Sequence, residues 1–222
     1  MLRRAAALVL LAVGITLVVF VLTQLVPSNA VATNLGEQAA GDPAAVAAFK
    51  AHYGLDKPLP VRYWIYLKHL AHGDLGQSSL THDAVTHDLR QFIPATAELA
   101  LYSILIAAFF GITFGVIAAL RRNRPTDHLL RVVSLGGISM PTFWIALVAL
   151  YLGFFKLGWF PGADRLDPGV TPPPHKTGLY TIDALLDGDW GLFVQALHHL
   201  LLPALVLAAF NVSLLTLSLI HI

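Results

Sequence analysis

Residues 98–122 read ELALYSILIAAFFGITFGVIAALRR, and Leu99 to Leu120 within them carry no charged side chain. A helix crossing about 30 Å of hydrocarbon needs roughly 20 apolar residues at 1.5 Å each, so this run is read as a membrane-spanning helix. Three other runs read the same way. Ala5 to Val26 follows Arg3-Arg4, Val132 to Phe155 lies between Arg131 and Lys156, and Leu200 to Ile220 comes near the last residue. Ala30-Val31-Ala32 after the first run spells an alternative, a signal peptide with its cleavage site, but the 22 residues from Ala5 to Val26 exceed a cleavable apolar region. Of the 222 residues, 56% are hydrophobic and only 12% charged, against roughly 25% charged in a soluble domain. These numbers argue against a soluble enzyme and predict an all-α membrane protein with four transmembrane helices.

Charge placement orients the spans. The loop from Leu120 to Arg131 holds Arg121, Arg122, Arg124 and Arg131 against the single acid Asp127, so the positive-inside rule puts it, and the N-terminus with Arg3 and Arg4, in the cytoplasm. Pro27 to Ala97 and Lys156 to His199 are then outside. The first is expected to form a small helical extracytoplasmic subdomain, residues 27–97, after the N-terminal helix, residues 1–26. Asp42 is a helix cap with Pro43 at the first helical position, Gly54 ends that helix, and Leu59-Pro60 opens a second that Gly73 stops. The second outer segment, with Pro161-Gly162, Asp167-Pro168-Gly169 and Pro172-Pro173-Pro174, reads as an ordered loop.

The chemistry-bearing residues are sparse. A net charge of +1 leaves no basic footprint for nucleic acid, and the absence of cysteine excludes disulfides, iron–sulfur clusters and thiol catalysis. Ten histidines fall at spacings that build no tight ligand set, and neither G-x-x-x-x-G-K-[ST] nor G-x-G-x-x-G occurs. No metal, cofactor or nucleotide site is therefore expected in this chain. No span carries a charge, which disfavours an ion-coupled secondary transporter or channel, and no carboxylate or histidine joins the span serines to make an intramembrane catalytic pair. Glu98 follows Pro94-Ala95-Thr96-Ala97 at the start of the second span, where it either caps the helix or contacts solute at a pore mouth. Gly111 and Gly115 form G-x-x-x-G, a close-packing or sliding contact. Pro141 kinks the third span, with Ser139 and Thr142 placed to satisfy the freed backbone groups, and the bend is either passive or a hinge lining a path.

Seven stretches together resemble the permease subunits of ABC importers for dipeptides, oligopeptides and nickel, the binding-protein-dependent transport inner-membrane family. They are the Arg-rich start with a first span ending in Leu25-Val26-Pro27, Tyr53-Gly54-Leu55-Asp56-Lys57-Pro58, Gly73-Asp74-Leu75-Gly76-Gln77-Ser78, Pro94-Ala95-Thr96-Ala97-Glu98-Leu99, Gly115-Val116-Ile117-Ala118-Ala119 before Arg121-Arg122, Ser139-Met140-Pro141-Thr142-Phe143-Trp144, and Leu202-Pro203-Ala204-Leu205. The resemblance implies a six-span permease of the bacterial inner membrane, not itself an enzyme, that passes peptides or a related small solute by alternating access. It implies a second permease subunit, two cytoplasmic ATPase subunits that hold ATP and Mg, and an extracytoplasmic substrate-binding protein that docks near Gly73, Asp74 and Gly76. Residues 98–222 would be part of the permease core. The family continues into a cytoplasmic coupling loop and two more spans, so the chain is expected to be truncated at its C-terminal side. Its final Leu217-Ser218-Leu219-Ile220-His221-Ile222 departs from the Arg-bearing exit of the family's fourth span, and can be written as a translation of a sequencing-adapter end.

Overall fold

The computed structural model describes residues 2–25, 42–78 and 80–220. Ala30-Val31-Ala32 and His221-Ile222 lie outside the described residues. Regular structure among these residues is helical, and the sole β feature is the bridge between Gln77 and Ala84. The chain separates into two compact units, residues 1–89 and 90–222.

In the first unit, α1 (Leu2–Leu25) has apolar side chains exposed along its length, from Leu8 to Leu25, as a lipid-facing helix requires. One face is engaged: Tyr63 Oη donates to the Val13 carbonyl at 3.1 Å, and Phe20 meets the rings of Tyr63 and Tyr66. Helix α2 (Pro43–Tyr53) begins where Asp42 accepts the Ala44 N–H at 2.9 Å. It ends at Gly54, whose φ of 62° is left-handed and whose missing side chain leaves room for Ile65 of α3, since a methyl group there would sit 2.5 Å from Ile65 Cδ1. Helix α3 (Leu59–Ala71) closes on a Schellman turn, with the Gly73 N–H on the Leu70 carbonyl and the Asp74 N–H on the His69 carbonyl.

Helix α4 runs from Val85 to Leu120, so it passes without interruption through the expected boundary at Ala97 and Glu98. Pro94, just before the expected start of the span, lies inside this helix. In the second unit α4 is followed by α5 (Pro125–Ser139), α6 (Thr142–Leu150), α7 (Tyr180–Leu186) and α8 (Trp190–Ile220). Helix α6 continues through Tyr151–Lys156 as a wider π-helical turn, in which the Leu157 N–H reaches back to the Leu152 carbonyl at 3.0 Å. Helix α8 organises this unit: α5, α6 and α7 all pack on it. Close approach there uses small residues. A methyl group on Gly111 would lie 2.8 Å from Leu215 Cβ, one on Gly115 2.8 Å from Leu219 Cβ, and Gly137 faces Ser213.

Three readings of the sequence are corrected here. The span expected from 132 to 155 is two helices meeting at 104°, because the break at Met140-Pro141 is complete. Helix α5 ends with the Met140 N–H on the Gly136 carbonyl, and α6 begins with the Trp144 and Ile145 N–H groups on the Pro141 carbonyl. The loop expected from Lys156 to His199 contains α7 and the first ten residues of α8. The span expected at Leu200 thus starts at Trp190. Among the described residues, three helices are long and apolar enough to cross a membrane, or four if the bent pair counts as one span.

Candidate functional site

The most developed polar site lies where α4 and α8 meet the segment between α6 and α7. Glu98 is 2% exposed, and an isolated carboxylate in that setting would be strongly disfavoured. It is fully answered. One oxygen accepts the Thr181 N–H at 2.8 Å and the Thr181 hydroxyl at 2.5 Å, and the other accepts Arg165 Nη2 at 2.6 Å and the Tyr180 N–H at 3.3 Å. Glu98 does not start its own helix, which begins at Val85, and sits instead at the N-terminus of α7. The amides of Tyr180 and Thr181 are in the first turn of α7, where N–H groups have no intrahelical partner and the helix dipole favours an anion.

Arg165 is fixed from two other directions. Nη2 also donates to the Gly178 carbonyl at 3.1 Å, and the guanidinium lies 3.4 Å above the centre of the Tyr180 ring, a cation–π arrangement. Gly178 has φ 81° and lies against Pro94, so a methyl group there would meet Pro94 Cβ at 2.8 Å. Asp183, 1% exposed, accepts the Thr177 N–H at 2.8 Å, the Thr177 hydroxyl at 2.7 Å and the Gly178 N–H at 2.9 Å. Burial pushes its carboxyl up, and these donors outweigh the burial and hold it below the usual carboxylate range.

His198 and His199, adjacent on α8, hold different parts of the same segment. His198 Nε2 is 2.8 Å from the Trp159 carbonyl, while His199 lies with Nδ1 3.2 Å from the Asp164 carbonyl and Nε2 3.1 Å from Asp167 Oδ1. A cavity of about 230 Å³ opens between α4 and α8, lined by Glu98, Arg165, Tyr180, His199, Leu200 and Pro203 among others. Among the described residues no group of three His, Cys, Asp or Glu side chains could hold a metal ion.

The other residues singled out by sequence are dispersed. Ser139, Pro141 and Thr142 form the α5–α6 break, and Gly111 and Gly115 lie against α8. Gly73, Asp74 and Gly76 are in the first unit, where Asp74 accepts the Gly76 N–H at 2.9 Å and Gly73 and Gly76 adopt φ of 80° and 79°. Asp74 and Gly76 also line a hollow of about 310 Å³ with Arg62, His69 and residues of α1. Sequence reading missed Arg165, Tyr180, Thr181 and Asp183. The only local signal for them was Arg165 itself, one of few bases in an acidic segment.

The described residues are helical, and three of their helices, or four with the bent pair taken as one span, are long and apolar enough to cross a membrane, which is the build of a membrane-embedded protein. Residues 111–221 match the family model described as Binding-protein-dependent transport system inner membrane component, and residues 1–100 match that of its N-terminal part. The chain belongs to this family. It is 42% identical over 206 residues to the "Probable D,D-dipeptide transport system permease protein DdpB" of Escherichia coli (strain K12), covering 93% of this chain and 60% of that protein. It is 43% identical over 205 residues to the "Di/tripeptide transport system permease protein DppB" of Pseudomonas aeruginosa (strain UCBPP-PA14), covering 92% and 60%. Against the "Dipeptide transport system permease protein DppB" of Alkalihalophilus pseudofirmus it is 35% identical over 205 residues, covering 92% and 61%. The chain thus spans about 60% of the length of these relatives.

Proposed function

We propose that this chain is a transmembrane permease subunit of an ATP-driven importer of short peptides in the bacterial inner membrane. The observation that carries the reading is the pair of family matches over residues 1–100 and 111–221. The peptide class rests on relatives whose names specify D,D-dipeptides, di/tripeptides and dipeptides. With four spans, the bent pair counted as one, Arg3, Arg4, Arg121, Arg122, Arg124 and Arg131 support a cytoplasmic N-terminus and an outside 27–97 subdomain. ATP and Mg belong to two partner ATPase subunits, a second permease completes the path, and an extracytoplasmic binding protein docks on the subdomain around Gly73, Asp74 and Gly76.

In this reading the Glu98 cluster is a clamp on the outer side of the path. One carboxylate ties Arg165, Tyr180 and Thr181 to α4, so the segment between α6 and α7 moves with α4 during alternating access. The α5–α6 break at Ser139, Pro141 and Thr142 is the hinge, and the contact of Gly111 and Gly115 with α8 is an interface that shifts with it. The test is reconstitution of the complete gene product with its neighbouring permease, ATPases and binding protein in proteoliposomes, followed by uptake of a radiolabelled dialanine. ATP-dependent accumulation supports the reading. Uptake that is independent of ATP, or driven by an ion gradient, would assign the chain to a secondary transporter or channel instead.

A further inference from the structure

The connector between α4 and α5 presents three exposed arginines, Arg121, Arg122 and Arg124, on a turn of defined shape. The Arg124 N–H donates to the Arg121 carbonyl at 3.0 Å, and Asn123 takes a left-handed φ of 61°. The one acid nearby is withdrawn from them. Asp127 is 1% exposed, with Oδ1 on Arg131 Nε at 2.7 Å and Oδ2 accepting the Asn123 N–H at 3.0 Å and Arg131 Nη2 at 3.3 Å. Its carboxylate closes the turn from inside, buried and engaged by Asn123 and Arg131 while the three guanidinium groups stand exposed.

What adjoins the turn identifies its partner. Leu120 is 81% exposed immediately before it, and one turn into α5 an apolar ridge begins with Leu129, Val132 and Val133, all more than 60% exposed. A soluble anion or an acidic protein surface would meet the arginines alone, whereas the ridge belongs to the bent pair read as a span and so places the turn beside acyl chains. A phospholipid matches both: its phosphate meets Arg121, Arg122 and Arg124, and its acyl chains lie along Leu120, Leu129, Val132 and Val133. We propose that the Arg121–Arg124 turn with the adjoining apolar ridge is a binding site for an anionic phospholipid. Arginine suits the role because its planar donor fork grips phosphate in pairs of hydrogen bonds, and each basic group near an anionic surface contributes about a fivefold gain in binding.

The experiment uses the whole chain in bilayers containing spin-labelled phosphatidylglycerol or spin-labelled phosphatidylcholine, reading the fraction of each lipid immobilised on the protein. The expected result is at least a fivefold preference for phosphatidylglycerol. The combined substitution R121Q/R122Q/R124Q is expected to bring that preference close to one without changing phosphatidylcholine contact, while R3Q/R4Q, at the start of α1, leaves it in place. A second variant, L129S/V132S, keeps every arginine and is expected to weaken the preference by removing the acyl contact. Retention of the full preference in the triple variant would overturn the proposal. So would its abolition by millimolar inorganic phosphate, which would mark a free-anion site, or unchanged lipid preference together with loss of ATPase-subunit binding, which would give the turn to a protein partner.

Discussion

Glu98 concentrates the energetics of the second unit in a single side chain. Glu98→Gln preserves its shape but removes the charge facing Arg165, and its amide group would turn donors toward groups that are themselves donors. Breaking a buried ion pair costs roughly 3–5 kcal/mol, and the partial exposure of the Arg165 side chain, 28%, places this one at the low end, about 3 kcal/mol. The thermal midpoint of the detergent-purified chain is expected to fall, and limited proteolysis should cut first between residues 157 and 179. Thr181→Val removes one hydroxyl donor and is expected to cost about 1 kcal/mol. Asp183 supplies a pH dependence: its folded value is depressed, so its stabilising contribution is present above the ordinary carboxylate range near pH 4 and is lost as pH falls through the lower folded value. In thermal melts over that acid range Asp183→Asn should flatten the loss of stability, and an unchanged acid limb would remove Asp183 as its source. In the sequence Glu98 reads as a cap on its own span or a solute contact, whereas it lies inside α4 and meets the N-terminus of α7. Its partners were not legible, because Thr181 lies 83 positions further along the chain and no local pattern links a carboxylate to amides at that distance.

The helices show what hydrophobic pattern and punctuation can and cannot mark. Helices α2 and α3 were legible because their signals are local: a capping Asp42, prolines at the first turns, and glycines whose left-handed backbone stops each helix. The starts of α4 and α8 were hidden, because residues 85–97 and 190–199 are mixed in polarity and extend beyond the apolar runs that mark a span. The break at Pro141 was legible as a bend but not as 104°, since the missing proline N–H sets where a helix is weakened while the packing of α5 and α6 on α8 sets the angle. Two outcomes test these elements. Gly115→Leu, which forces a side chain into Leu219, is expected to destabilise by about 1–3 kcal/mol through overpacking, whereas the same substitution at Gly136, which has nothing within 4 Å of the added Cβ, should be nearly neutral. Pro141→Ala in the complete protein should slow peptide uptake while leaving co-purification with partner subunits intact, because alanine tolerates the observed backbone and also permits a straight helix. Unchanged uptake would reduce the break to packing.

For the whole molecule, the proposed topology has a direct reading because the chain has no native cysteine. Asp56→Cys, on the exposed turn between α2 and α3, and Arg122→Cys, between α4 and α5, should react with a membrane-impermeant thiol reagent from opposite sides of intact cells. Labelling of both from outside would overturn the orientation. Membrane class and family were legible throughout the chain, since each apolar run and motif is short-range information. The division of the chain was not: the compact units part at residue 89, inside a helix, where composition changes little.

The distance between Glu98 and Thr181 also sets a clock. Ribosomes add roughly 5–20 residues per second, so the 83 residues that separate this carboxylate from its α7 partner take about 4–17 s to appear. During that interval Glu98 has emerged without the donors that neutralise it, and it must remain hydrated. We therefore expect the part of α4 around Glu98 to reach its buried setting only after α7 has been made. Nascent chains arrested before residue 165 should hold Glu98 accessible to water, and chains arrested well beyond Thr181 should bury it.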